Sequence, residues 1–232
     1  MAALTESSGT RGGEFVTLLS AQVVTGVYPT ILLDAWDRYD TRMGGSENIR
    51  PSDAEGAENQ LYCLLHLSDG GEDVESVSLT SWTQALTIFA QTVDLLARGE
   101  EEVQFEHRDL HWGNVLVEKL AAPEDDEPQL IALCWPDLLE ADKSRLRTTI
   151  IDYTLSRAQL TSSTLATCDL YSQKSLFRGD AEEDYQFEVY RLMRSHVRSA
   201  ARQVAGEDAD EKKGFYPGTN VIWCHYLVRK LL

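Results

Sequence analysis

Between an amphipathic stretch and a short apolar run, the chain reads Phe-Glu-His-Arg-Asp-Leu-His-Trp-Gly-Asn-Val-Leu-Val, Phe105 to Val117. The stretch before it, from Ser81, places Trp82, Leu86, Phe89, Val93 and Leu96 at three- and four-residue spacing, which predicts a helix with one apolar face. Ser81-x-x-Gln84 predicts a capping box at its start and Gly99 a C-cap at its end. Val115-Leu116-Val117 reads as a strand, and so does Thr148–Asp152. A polar loop with an acid, Asp109, and an amide, Asn114, is thus enclosed by packed elements. Side chains on such a loop point where the scaffold aims them.

His107-Arg108-Asp109-Leu110 followed by Asn114 fits, at every fixed position, the H-R-D-L-x-x-x-N loop of protein kinases. The spacing has a chemical reason. Phosphoryl transfer needs a carboxylate within reach of the attacking hydroxyl, the role read for Asp109, and a nearby oxygen ligand for a hard Mg²⁺ ion, the role read for Asn114. A second metal-holding acid is expected about two short strands later, and Asp152 in Ile-Ile-Asp-Tyr-Thr-Leu-Ser-Arg stands there. Tyr153-Thr154 replace the usual Phe-Gly, which removes a glycine hinge and predicts a static metal loop.

The remaining chain suggests one domain or one and a half, since 232 residues with 43% apolar content can bury a core. Residues 1–13 are small, polar and glycine-rich and read as a flexible lead-in, with order starting near Phe15. Phe15 to Trp36 carries apolar runs broken by Gly26 and Pro29, which predicts strands joined by turns and then a polar loop. Leu61 to Leu67 reads as a buried strand stopping at Asp69-Gly70-Gly71. An acidic insert, residues 123–128, reads as a solvated loop. Tyr185 to Val204 sets Phe187, Tyr190, Val197, Ala201 and Val204 on one helical face, and Asn220 onward reads as a closing helix.

Charge narrows the partners. With 21 Lys and Arg against 38 Asp and Glu, the formal charge of −17 repels nucleic-acid phosphates and anionic lipid and favours a basic partner. Four scattered cysteines, Cys63, Cys134, Cys168 and Cys224, give neither a disulfide framework nor a zinc pattern and fit a reducing compartment, nuclear or cytosolic. No apolar run approaches the roughly 18 residues of a membrane span, and the first residues carry no secretory signal pattern.

The loop with Trp112, Ile-Ile-Asp-Tyr-Thr-Leu-Ser-Arg, the later Asp-Tyr-Gln-Phe-Glu-Val-Tyr-Arg-Leu-Met and the final Asn-Val-Ile-Trp-Cys-His-Tyr-Leu-Val-Arg-Lys-Leu-Leu together resemble the haspin group of protein kinases, from about Phe15 to the end. The resemblance implies an α+β, protein-kinase-like fold, mainly the helical C-lobe with a truncated N-lobe sheet: lead-in 1–13, residual N-lobe strands 14–67, C-lobe 68–232. It implies ATP and Mg²⁺ as cofactors, with Asp109 (the base), Asn114, His107 and Arg108 as catalytic residues and Asn114 and Asp152 as metal ligands. Leu67 would be the gatekeeper, Ser68 to Gly70 the adenine hinge, Asp73 the ribose contact, and Leu116 and Ile151 the pocket lining. Asp73, Glu75, His111, Asp180 and Asp184 would hold the basic histone H3 tail, whose threonine is the family's acceptor, in a nuclear setting.

Two pieces of kinase machinery have no counterpart in these residues. No G-x-G-x-x-G occurs, and no lysine precedes Lys119, so a β3 lysine for the α/β-phosphates is not supplied. The catalytic apparatus reads as incomplete and the apolar faces of the first strands as exposed. The alternative is a pseudokinase or scaffold with an acidic groove for basic tails.

Overall fold

The computed structural model describes residues 12–46, 48–53, 57–121, 135–140, 144–205, 211 and 213–231. It is of the expected α+β class and divides into two units, residues 18–68 and the remainder. Val204 as a core contact and the acidic insert lie outside what is described.

The larger unit is built on a four-stranded sheet in the order β1 (Gly13–Phe15), β6 (Leu146–Ile150), β5 (Val115–Lys119), β4 (Glu72–Asp73). β5 and β6 pair antiparallel from Val115↔Ile150 to Lys119↔Leu146, and β1 runs parallel to β6. Helix α2 (Trp82–Val103) packs on β6 and β1, burying Ile88, Leu95 and Leu96. Each such side chain contributes about 1.5–3 kcal/mol by leaving water. A short α3 (Trp135–Leu138) follows. Two long helices, α4 (Gln186–Ala205) and α5 (Gly218–Leu231), pack on each other and extend the core through Met193, Trp223 and Leu227.

Several sequence expectations change here. Gly12 and Gly13 belong to the fold: the Gly12 amide donates to the Leu139 carbonyl, and a Cβ on Gly12 would lie 2.0 Å from Gln91 Nε2. Only glycine lets this strand lie so close to α2. Gln91 in turn is buried and donates from Nε2 to the carbonyls of Leu138 and Leu146, each at 3.0 Å, tying α2 to the sheet. Gly99 does not cap α2; the helix continues to Val103 and Gln104 caps it at φ 50°. A Cβ at Gly99 would lie 3.0 Å from Phe105 Cβ, so its smallness serves packing. The buried face is also rotated: Trp82 and Leu86 are exposed while Thr87, Gln91 and Thr92 are buried. At the start, Ser81 does accept from the Gln84 amide, but Gln84 reaches back to the Thr80 amide rather than to Ser81.

The smaller unit pairs β2 (Leu18–Thr25) with β3 (Leu61–Leu67), antiparallel with a bulge at Leu18/Ser20, and carries helix α1 (Thr30–Met43). The segment after Pro29 is therefore a helix, not a strand; Pro29 sits at its N-cap, and Gly44 ends it at φ 77°. β3 is exposed along nearly its whole length, with Leu61 and Leu65 more than half accessible. Among the described residues of this unit nothing covers β3, so the burial expected from the apolar run is not met.

Candidate active site

The polar loop begins on a segment bridged to Arg157: Glu106 and Arg157 exchange both backbone hydrogen bonds. His107 follows, fully buried. Its Nδ1 accepts from the Asp109 amide at 3.3 Å, so the ring proton sits on Nε2, which donates to the Ile151 carbonyl at 2.9 Å. Burial lowers the His107 pKa to about 4, with the Ile151 carbonyl and Asp152 opposing. The ring is thus a neutral cross-link between the Asp109 loop and the strand carrying Asp152. Asn114 closes the other side, accepting from the Ile151 amide at 3.0 Å through its carbonyl, one residue beyond the β5–β6 register.

Asn114 is itself oriented by its Nδ2, which donates to the Asp109 carbonyl at 2.9 Å. That leaves Oδ1 as the face able to coordinate a cation. The Asp109 carboxylate accepts a hydrogen bond from the Tyr190 hydroxyl on α4. Burial raises its pKa to about 6; the Tyr190 bond and His111 pull it down and Asp152 pushes it up. A carboxylate with this pKa is ionised at neutral pH yet more basic than a surface aspartate.

Asp152 sits just past β6 at φ 57°, and Arg108 at φ 67°. Two non-glycine residues in the left-handed region of one site mark backbone strain held by its surroundings. At Asp152 the holder is Tyr153, whose hydroxyl donates to the Ile150 carbonyl at 2.6 Å and accepts from the Val16 amide at 3.2 Å. Its ring lies edge-on to Phe15, Phe105 and His107. Thr154 donates to Asp152 Oδ1 from its amide at 3.0 Å and its hydroxyl at 2.5 Å. Burial would raise the Asp152 pKa, but the Thr154 bonds and the two histidines hold it below the ordinary value. Tyr153 and Thr154 thus tie this loop to Ile150, Val16 and Asp152 through hydrogen bonds.

Arg108 is not brought to the Asp109 carboxylate. It is buried, with Nε donating to Glu106 Oε2 at 3.1 Å and Nη1 to the Thr167 hydroxyl at 3.1 Å. Glu106, which sequence reasoning missed, is fully buried at the centre of a network: Oε1 accepts from the Tyr216 amide at 2.8 Å and Oε2 from the Thr219 hydroxyl at 3.0 Å. Asn220 was missed too; Oδ1 accepts from the His107 amide at 3.0 Å while Nδ2 donates to the Phe105 carbonyl and Glu100. Its location 113 residues from His107 gives no local signal. For Glu106 there was one: a lone carboxylate between Phe105 and His107 on a segment that had to be buried.

The remaining positions scatter. Asp73 lies in β4 opposite Leu116, its Oδ1 accepting from the Ser76 amide at 2.7 Å. Gly70 is buried, where a Cβ would stand 2.8 Å from Thr149 Cβ and 3.0 Å from Leu116 Cδ1. Leu67 and Ser68 belong to the smaller unit. His111 accepts through Nδ1 from the Gly113 amide, and Glu75 is exposed, its Oε2 3.6 Å from where a Cβ on Gly113 would stand. Asp180 and Asp184 each accept from an amide two residues on, those of Glu182 and Gln186. Asp184 also faces Lys230 Nζ at 3.7 Å, and that ammonium sits 4.5 Å from the centre of the Trp112 ring. A cavity of about 20 Å³ borders Arg108, Cys168 and Met193 but none of Asp109, Asn114 or Asp152.

Asn114 Oδ1 and the Asp152 carboxylate are hard oxygen donors, one neutral and one anionic, on segments joined through the Ile151 backbone. Among the described residues no three His, Cys, Asp or Glu side chains cluster as a self-sufficient metal cage, and no helix is long and apolar enough to cross a membrane. Comparison with known proteins gives the family. The haspin like kinase domain family matches residues 4–232. The chain is similar to the serine/threonine-protein kinase haspin homolog hrk1 of Schizosaccharomyces pombe, 38% identical over 230 residues, which cover 94% of this chain and 44% of that protein. It is 39% identical over 220 residues to the serine/threonine-protein kinase haspin of Mus musculus and 37% over 236 residues to that of Bos taurus, covering 94% and 99% of this chain and 26% and 27% of those proteins. The chain therefore spans less than half the length of these relatives. An Asp109 loop cross-linked through His107 and Asn114 to an Asp152 strand without Phe-Gly, and a family match across nearly every residue, place this protein-kinase-like chain in the haspin-like kinase family.

Proposed function

We propose that this chain carries the phosphoryl-transfer site of a serine/threonine kinase of the haspin type, using ATP and Mg²⁺ and acting on a threonine of a basic peptide such as the histone H3 tail. One observation carries the reading: His107 Nε2 and the Asn114 carbonyl both bond Ile151, so the base loop and Asp152 are locked as one unit. Asp109 accepts the proton of the acceptor hydroxyl, and its pKa of about 6 leaves it ionised for that task. Asn114 Oδ1 and the Asp152 carboxylate are the groups that would hold Mg²⁺, which when bound neutralises charge on the phosphates.

Adenine would lie against Gly70, Leu116 and Ile151, with Asp73 at the ribose. Asp73, Glu75, His111, Asp180 and Asp184 would face the peptide, and the charge of −17 favours a basic one. A nuclear setting follows from that substrate. A second reading is an acidic scaffold that binds basic tails without turnover, to which the charge of −17 is equally suited.

The test is mass-spectrometric detection of phosphothreonine in an H3 amino-terminal peptide, with wild type and Asp109→Asn. Transfer reduced about 10²–10⁴-fold by the substitution supports the kinase reading. Peptide binding without any transfer supports the scaffold.

A further inference from the structure

We propose that Tyr190 is the positioning residue of the base, its hydroxyl fixing which Asp109 oxygen is presented to the substrate. This rests on the reading of Asp109 as base. The backbone of Asp109 is held at both ends, its amide by His107 Nδ1 and its carbonyl by Asn114 Nδ2 and the His111 amide. Its side chain is held differently. The Tyr190 hydroxyl donates to Oδ1, and among the described residues no lysine or arginine pairs with this carboxylate. Arg108, adjacent in sequence, is committed to Glu106 and Thr167, and His111, its Nδ1 accepting from the Gly113 amide, acts on the carboxylate through charge. Among the described residues, the Tyr190 phenol is thus the side chain hydrogen-bonded to this carboxylate.

That phenol is rigidly mounted. Tyr190 is 4% exposed, and its ring lies edge-on to the fully buried Trp223 at 5.3 Å. Trp223 is on α5, so the orientation of the base is set by the packing of α4 on α5, remote in sequence from the loop it serves. Burial and the neighbouring Asp109 keep the Tyr190 hydroxyl protonated, a permanent donor at working pH. A neutral donor suits the task. A cation at the same oxygen would orient the carboxylate but weaken it as a base, whereas a phenol occupies Oδ1 and leaves Oδ2 to meet the acceptor hydroxyl with its charge retained.

Tyr190→Phe removes the hydroxyl and keeps the ring against Trp223. In the peptide-transfer assay kcat falls about 10- to 100-fold, with KM for ATP and for peptide unchanged within about twofold, because the lost interaction acts at the reacting hydroxyl rather than in binding. A thermal-unfolding cycle reads the contact without turnover: Tyr190→Phe lowers Tm by several degrees when Asp109 is present and does not lower it in an Asp109→Ala background. An equal Tm change in both backgrounds overturns the contact, and unchanged kcat, or a loss residing in KM, overturns the positioning role. If wild type transfers no phosphate, the kinase reading fails and the role with it, while the cycle still decides the contact.

Discussion

His107 and Asp109 titrate in opposite senses two residues apart, and acidification separates them. The unfolded chain protonates His107 near 6.5 but the folded chain only near 4. The folded state therefore loses stability as pH falls through that window, by about 2 kcal/mol between pH 7 and pH 5. Asp109 works the other way: the folded carboxyl takes its proton near 6 and the unfolded one near 3.8, so the fold gains about 1 kcal/mol over the same interval. In wild type the two largely offset. Asp109→Asn removes the compensating group, and its loss between pH 7 and pH 5 exceeds that of wild type by about 1 kcal/mol, or about 2–4 °C in Tm for a chain of this size. Scanning calorimetry on both chains at the two pH values measures the difference, because every other titrating group enters both. Parallel Tm changes would refute the raised Asp109 pKa, and a gain in Asn-variant stability on acidification would refute the buried neutral His107.

Other substitutions probe the scaffold. Glu106→Gln leaves the buried Arg108 and Arg157 facing a neutral side chain and is expected to destabilise by about 3–5 kcal/mol in denaturant unfolding; a loss below about 1 kcal/mol would show the network to be incidental. Gly71→Ala puts a Cβ 2.3 Å from the Val117 carbonyl oxygen at φ 89°, so a loss of at least about 2 kcal/mol is expected by the same assay, and a neutral result would contradict the β4–β5 approach. Lys230→Met frees the Asp184 carboxylate, and a Lys/Arg-rich peptide should bind about 2- to 5-fold more tightly in titration. Weaker binding would mean that Asp184 does not face the peptide.

What could be read from sequence was local. The Asp109 loop, β5, β6 and the start of α2 announce themselves through spacing within a few residues, and the structure keeps all of them. The misread face of α2 has a physical cause: Gln91, Thr87 and Thr92 are buried inside the fold, so its inner side is partly polar and its outer side carries Trp82 and Leu86. α1 was missed because Pro29 read as a break, although proline is well placed at a helix start. The partners of the loop, Tyr190 and Asn220, lie 81 and 113 residues from Asp109 and His107, and no single-sequence pattern encodes such pairings. The opposite error concerned β3, whose apolar run suggests burial although its own unit has too few layers to provide it.

The most direct test is calorimetric titration with ATP, with and without Mg²⁺, of this chain and of Asp152→Ala. Binding in the micromolar range that requires Mg²⁺ and disappears in the variant is the result expected if Asn114 and Asp152 form a working half-site. Failure of wild type to bind ATP in the presence of Mg²⁺, or equal binding by Asp152→Ala, would contradict it.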